Sequence, residues 1–380
     1  MPFGVYAFPM REYLLCLAAA AATTYLLTPL ARVFAIRFGA MAQVRERDVH
    51  KSTTPRWGGL AMFGGLFVAV ILASHLPLMS TIFNDRKQIT ALALGAFIIV
   101  VLGLADDRWA LDAPTKLVGQ VLAASVMAMQ GVTFVWLPIN GTYILDPSLS
   151  VLVTVFVVLV SINAVNMVDG LDGLAASIVG VGAAAFFVYS YFLSVENGYQ
   201  RAALATLVSA ALVGVCAGFL PHNWFRARIF MGDTGSMLIG LMLAASSIMV
   251  TGQVDPGGVS GGTLLPVFLP ILLPFSVLAV PLLDLMLAVF RRTRSGRSPF
   301  APDKLHLHHR LLALGHGQER AVLIMTTFTA VIAFGAVSTA FIPVWVTILA
   351  VVVSAIALAA WVKHPPADEE KSDVLQEVAV

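Results

Sequence analysis

Long apolar runs alternate with short polar connections along this chain. The runs occupy 13–36, 57–79, 89–105, 115–136, 149–168, 172–193, 202–220, 234–251, 263–290, 321–341 and 344–362. As helices, runs of this length cross a hydrocarbon core of about 30 Å. They are continuous rather than alternating, which selects helices over a barrel. The pattern predicts an all-α, polytopic integral membrane protein with about eleven transmembrane helices. Ile342-Pro343 reads as a tight turn between the last two spans. Pro266, Pro270, Pro274 and Pro281 predict a kink in the span that holds them. Residues 1–380 read as one membrane-embedded domain, with 363–380 as a disordered, solvated tail.

Composition agrees with this pattern. The chain is 59% hydrophobic and 12% charged, with a mean hydropathy of +0.88. So little charge excludes an ordinary water-soluble globular domain. Cys16 and Cys216 both fall inside apolar runs and read as helix-packing thiols rather than a disulfide. The first run is too long for a signal-peptide core and reads as a membrane helix. The net charge of +2 is small, and no nucleic-acid partner is expected.

The distribution of charge says more than its sum. Of 23 Lys and Arg, 18 fall in alternate connections and the C-terminal tail. These include Arg37, Arg56, Arg108, Lys116, Arg226, Arg228 and the group from Arg291 to Arg320. The positive-inside bias therefore predicts cytoplasmic charged loops, an outside N-terminus and a cytoplasmic C-terminus.

The same connections hold the residues able to do chemistry. Asp106-Asp107 close one span, and Pro114 predicts a helix start that places Lys116 in its first turn, where phosphate is favoured. A solvated turn with interfacial charges is the plainer account. Asn163, Asn166 and Asp169 recur every three residues on one helix face, followed by Gly170, Asp172 and Gly173. Amide and carboxylate oxygens suit a hard cation such as Mg²⁺, although amides in apolar helices also serve as interhelical glue. Asp233, in Phe230-Met231-Gly232-Asp233-Thr234, can hold a metal near phosphate. Asp233 or Thr234 can instead cap the helix that follows. His306, His308 and His309, between Lys304 and Arg310, fit sugar or phosphate contacts better than zinc, because no cysteine lies nearby. Asp48, His50 and Lys51 precede Pro55-Arg56-Trp57-Gly58-Gly59, which by itself is an ordinary interfacial loop.

Taken in series, these motifs resemble the polyprenyl-phosphate N-acetylhexosamine-1-phosphate transferase superfamily over nearly the whole chain. Within it, the stretch from Arg291 through Ser298-Pro299-Phe300 to the histidines looks most like the bacterial branch that makes polyprenyl-diphospho-N-acetylglucosamine. Thr53-Thr54-Pro55-Arg56-Trp57-Gly58-Gly59 departs from the pattern of the phospho-N-acetylmuramoyl-pentapeptide transferase branch, which, with transfer of another hexosamine 1-phosphate, is the alternative.

The resemblance implies a Mg²⁺-dependent phosphotransferase, with Mn²⁺ as a substitute, at the cytoplasmic face of the bacterial inner membrane. Its substrates would be a UDP-sugar and a polyprenyl phosphate, in the first membrane step of a cell-envelope polysaccharide. Asp233 and the Asn166 oxygen would hold the metal. Asp106, Asp107, Lys116, Asp169 and Asp172 would be catalytic. Lys51, Asn163, Asn223, Phe230, His306, His308 and His309 would bind substrate, with Asn223 and Phe230 against uracil. Membrane lipids surround the protein, and a homodimer through lipid-facing helices is left open. A secondary transporter is the rival class, disfavoured because the acids cluster at one rim rather than at the midplane of repeated halves.

Overall fold

The computed structural model describes residues 10–42, 53–84, 86–137, 143–196, 202–251 and 314–363, with scattered positions between 279 and 312. Lys51, His306, His308, His309, the four prolines of the run 263–290 with most of its other residues, and the tail beyond Lys363 lie outside the described residues.

The helices are α1 (Met10–Phe38), α2 (Gly58–His75), α3 (Arg86–Trp109), α4 (Ala113–Met129) and α5 (Pro147–Val168). They continue as α6 (Leu174–Glu196), α7 (Ala202–Asn223), α8 (Gly232–Thr251), α9 (Gln318–Ser338) and α10 (Val344–Lys363). Among the described residues, nine helices are long and apolar enough to cross a membrane. The tenth, α4, has 17 residues and is about 25 Å long.

Two runs stop earlier than their hydropathy suggests. Helix α2 ends at His75, and a 3-10 turn at Ser80–Asn84 follows. Helix α4 ends at Met129, and Gly131 enters the left-handed region with φ +96°. The apolar residues beyond it form strand β1 (Trp136–Leu137), paired antiparallel with β2 (Tyr143–Ile144). Side chains of α5 hold this segment. Ser150 Oγ donates to the Phe134 carbonyl at 2.6 Å, and the Phe134 N–H donates to Thr154 Oγ1 at 3.0 Å. An apolar sequence far from its own helix partners thus satisfies its backbone against a neighbour.

Helix α8 is the axis of the bundle. Every residue in it except Asp233 is buried, whereas in α10 only Thr347 and Leu358 are. Helices α2, α3, α5 and α7 pack around α8, α1 packs on α2 and α7, and α6 packs between α7 and α9. The outer faces of α1, α4 and α10 expose large apolar side chains such as Leu26, Val118 and Ile356, as a lipid-facing rim does. Cys16 and Cys216 are free and buried.

The antiparallel succession of helices brings the C-terminal ends of α3, α5 and α7 beside the N-terminal ends of α2, α4 and α8. Asp106, Asp107, Lys116, Asp169, Asn223 and Asp233 therefore share one end of the bundle.

Candidate active site

Local sequence sets Lys116. Asp112 caps α4 by accepting from the Thr115 N–H at 3.2 Å, and Pro114 sits in the first turn. Lys116 follows on that turn and reaches over the end of α3. Its Nζ pairs with Asp106 Oδ2 at 2.5 Å and Asp233 Oδ2 at 2.7 Å. The other Asp106 oxygen accepts from the Leu111 N–H at 2.8 Å, which closes the turn after α3.

Asp107 faces the opposite way. Its Oδ1 accepts from the Asp233 N–H at 2.9 Å, and its Oδ2 accepts from the Thr234 N–H at 3.1 Å and from Thr234 Oγ1 at 2.7 Å. The α8 N-terminus is thus capped by Asp107, from another helix, rather than by Asp233 or Thr234 themselves. A carboxylate on unpaired N–H groups at a helix N-terminus is held by charge-assisted bonds and by the helix dipole. Close approach makes this possible. A Cβ at Gly103 would collide with the Thr234 backbone, and one at Gly232 (φ +70°) with the Asp107 carboxylate. Freed from capping, the Asp233 side chain points at Lys116.

A backbone strap ties the α2 entry to the α8 entry. The Gly58 N–H donates to the Phe230 carbonyl at 3.0 Å, the Gly59 N–H to the Met231 carbonyl at 2.9 Å, and the Phe230 N–H to the Pro55 carbonyl at 2.8 Å. Trp57 takes a left-handed conformation, φ 86°, to make this corner.

Helix α5 contributes the amides. Asn166 Nδ2 donates to Ser236 Oγ at 2.9 Å. Ser236 Oγ in turn donates to the Gly232 carbonyl at 3.1 Å. The amide orientation is therefore settled, and the Asn166 carbonyl oxygen is left as the acceptor. One turn away, Asn163 Nδ2 donates to Gln120 Oε1 and to the Leu159 carbonyl, both at 2.8 Å.

Asp169, at the C-terminal cap of α5, is half-buried. Burial, then the Asp233 and Asp107 carboxylates, push its pKa up to about 8, with Arg56 opposing and Asp172 adding. Asp172 Oδ2 accepts from the Ala227 N–H at 3.1 Å. Asn223 is 2% exposed and bridges two loops: its Oδ1 accepts from the Gly173 N–H at 3.0 Å, and its Nδ2 donates to the Ile229 carbonyl at 3.0 Å. Asp172 and Asn223 thus brace the loop that delivers Phe230 and Asp233, and both ends of the Asn223 amide are engaged. The Phe230 side chain is half-buried.

The structure thus brings Asp106, Asp107, Lys116, Asn163, Asn166, Asp169 and Asp233 together, with Asp172 and Asn223 behind them. Sequence reading missed Arg56 as a partner of Asp169, Thr234 and Ser236 as bonding partners, and Gln120 altogether. Only Gln120 left a signal, a lone amide one turn after Lys116 in an apolar helix.

Asp233, Asp106 and the Asn166 carbonyl form an all-oxygen donor set, which suits a hard divalent cation. Among the described residues, no three His, Cys, Asp or Glu side chains form a cation cage.

These features define a polytopic helical membrane protein with an acidic, lysine-bridged site on one rim. Residues 89–251, from α3 through α8, match the glycosyl transferase family 4 model. The chain is 46% identical over 342 residues to a decaprenyl-phosphate N-acetylglucosaminephosphotransferase of Mycolicibacterium smegmatis, covering 88% of this chain and 83% of that one. It is 46% identical over 341 residues to a protein of the same description from Mycobacterium tuberculosis, covering 88% and 84%. Against a probable undecaprenyl-phosphate N-acetylglucosaminyl 1-phosphate transferase of Bacillus subtilis it is 30% identical over 328 residues, covering 86% and 84%. The chain belongs to the polyprenyl-phosphate hexosamine-1-phosphate transferase superfamily and is a transferase.

Proposed function

We propose that this protein transfers N-acetylglucosamine-1-phosphate from UDP-N-acetylglucosamine to a polyprenyl phosphate, giving polyprenyl-diphospho-N-acetylglucosamine and UMP. The reading rests on one observation: Lys116 bridges Asp106 and Asp233 at a bundle rim, in a chain 46% identical to decaprenyl-phosphate N-acetylglucosaminephosphotransferases. The positive-inside bias supports a cytoplasmic site. There the nucleotide arrives from water, while the prenyl tail stays in lipid.

In the reaction an oxygen of the lipid phosphate attacks the β-phosphorus. The new P–O bond forms as the bond to the UMP oxygen breaks, and the electron pair leaves with UMP. Two anions must meet, so positioning and charge neutralisation dominate. Lys116 supplies a fixed positive charge beside the reacting phosphates. Asp233 and the Asn166 carbonyl would hold Mg²⁺, which when bound neutralises diphosphate charge. Asp107 keeps the α8 N-terminus, and with it Asp233, in register. Asp106 would orient Lys116 and accept a proton from a lipid phosphate monoanion. A phosphate with a second pKa of about 6 is already mostly dianionic at neutral pH, so that service is needed chiefly in acid.

The test is purified protein with polyprenyl phosphate, Mg²⁺ and a panel of UDP-sugars, following UMP release and the lipid product. UMP release that requires the lipid phosphate and UDP-N-acetylglucosamine supports the proposal. Preference for UDP-N-acetylmuramoyl-pentapeptide moves the protein to the sister branch. Solute uptake into proteoliposomes without lipid phosphate rejects the enzymatic mechanism.

A further inference from the structure

Gln120 lies one helical turn beyond Lys116 on α4, further from the bundle end, and is 3% exposed. An amide buried among apolar helices is costly unless both its ends are bonded. One end is bonded well: Oε1 accepts from Asn163 Nδ2 at 2.8 Å. The other has only Met237 Sδ, a weak acceptor, at 3.4 Å. The residue is thus poorly repaid as a structural bridge, and its good bond goes to a neighbour of the candidate cation ligand.

That bond has a directional consequence. The second acceptor for Asn163 Nδ2 is the backbone carbonyl of Leu159, which can only accept. Both N–H groups of Asn163 are therefore spent on protein, and no described residue donates to its Oδ1. Asn163 is exposed, so what it presents outward is an acceptor. Asn166, three residues on, is oriented in the same sense by Ser236, whose own proton goes to the Gly232 carbonyl. Two amide carbonyls thus stand on one face of α5, with their Cβ atoms about 5–6 Å apart.

We propose that Gln120 is a positioning residue for the cation site: it fixes the Asn163 amide so that its carbonyl accepts from a water on a cation held by Asn166 and Asp233. This rests on the cation reading of the proposed function. Mg²⁺ dehydrates reluctantly and keeps several waters, and groups that orient such ligands tune affinity by about 10–100-fold. Gln120 acts only through Asn163 and touches neither substrate nor cation.

The test is Mn²⁺ binding to the purified, substrate-free protein, followed by electron paramagnetic resonance with thermal unfolding in parallel. Gln120→Met, which keeps the shape and loses the acceptor, weakens Mn²⁺ binding about tenfold at an unchanged unfolding temperature. Gln120→Glu, which keeps an acceptor oxygen for Asn163, binds at least as tightly as wild type. Asn163→Ala weakens binding as Gln120→Met does, and the double variant is no weaker than either single one. Because Asn163 is exposed, its variant carries the test even where Gln120→Met does not fold. Wild-type affinity in Gln120→Met or Asn163→Ala, or additive losses in the double variant, overturns the inference while leaving the cation site standing. Mn²⁺ binding that survives Asp233→Ala unchanged removes the cation site itself, and the inference with it.

Discussion

Lys116 Nζ lies 2.7 Å from Asp233 Oδ2, across 117 positions of sequence. The same nitrogen touches Asp106, so one cation holds two carboxylates that would otherwise repel. The lysine occupies the ground that an incoming phosphate and a divalent ion would share.

Replacing Lys116 by Met therefore has two opposite effects. Turnover falls by about 10²-fold or more, as when one fixed electrostatic donor is removed from a transfer site. Mn²⁺ binding tightens, because a competing positive charge is gone. Lys116→Arg restores charge with a different fork geometry and recovers turnover only in part. Initial rates and a Mn²⁺ titration on the same preparations check both arms; weaker Mn²⁺ binding in the Met variant contradicts the account.

Asp107 and Asp106 are neighbours with separable roles. Asp107→Ala strips three donors of their acceptor at the α8 N-terminus, and losing a cap costs about 1–2 kcal/mol. The unfolding temperature drops and turnover is lost together, because Asp233 moves with the helix end. Asp107→Asn keeps one acceptor oxygen and loses less stability. Equal unfolding temperatures for wild type and Asp107→Ala would falsify the capping role.

For Asp106→Asn, the expected signature is kinetic and pH-dependent. The defect is largest in mildly acidic solution, where the lipid phosphate still carries a proton, and shrinks as pH rises past its second pKa of about 6. A pH–rate profile from pH 5.5 to 9 decides it. A constant ratio to wild type rejects proton acceptance and leaves Asp106 with the orientation of Lys116.

Asp169 gives a pH effect of definite sign in chelator. Its folded pKa stands at about 8 against an ordinary 3.8. Between those values the native state keeps a proton that the unfolded chain has lost. Stability from this group is thus fully present below about pH 4 and is lost as pH rises through about 8. In EDTA, the unfolding temperature of wild type falls over that window relative to Asp169→Asn, which carries no ionisable group there. Parallel curves for the two proteins would remove Asp169 from the carboxylate cluster.

Much of this is legible in the order of residues. Continuous apolar runs demand helices in lipid, because no water is present to satisfy the backbone. Asp112, Pro114 and Lys116 define a helix start by purely local chemistry, and a three-residue spacing sets Asn163, Asn166 and Asp169 on one face. The turn after Met129 was hidden, because hydropathy does not distinguish an apolar helix from apolar residues held by the side chains of Ser150 and Thr154. The roles of adjacent acids were hidden too. Asp106 turns to Lys116 and Asp107 turns to α8 only because Gly103 lets α3 and α8 come into backbone contact. Likewise, nothing local connects Gln120 to Asn163, or Asn223 to Gly173 and Ile229. The order of residues determined which side chains reach one rim of a membrane bundle. The packing of α3, α4, α5 and α8 decided which of them bond to protein and which are left facing a substrate, because hydrogen bonds act over about 3 Å and that distance exists only once the helices have met.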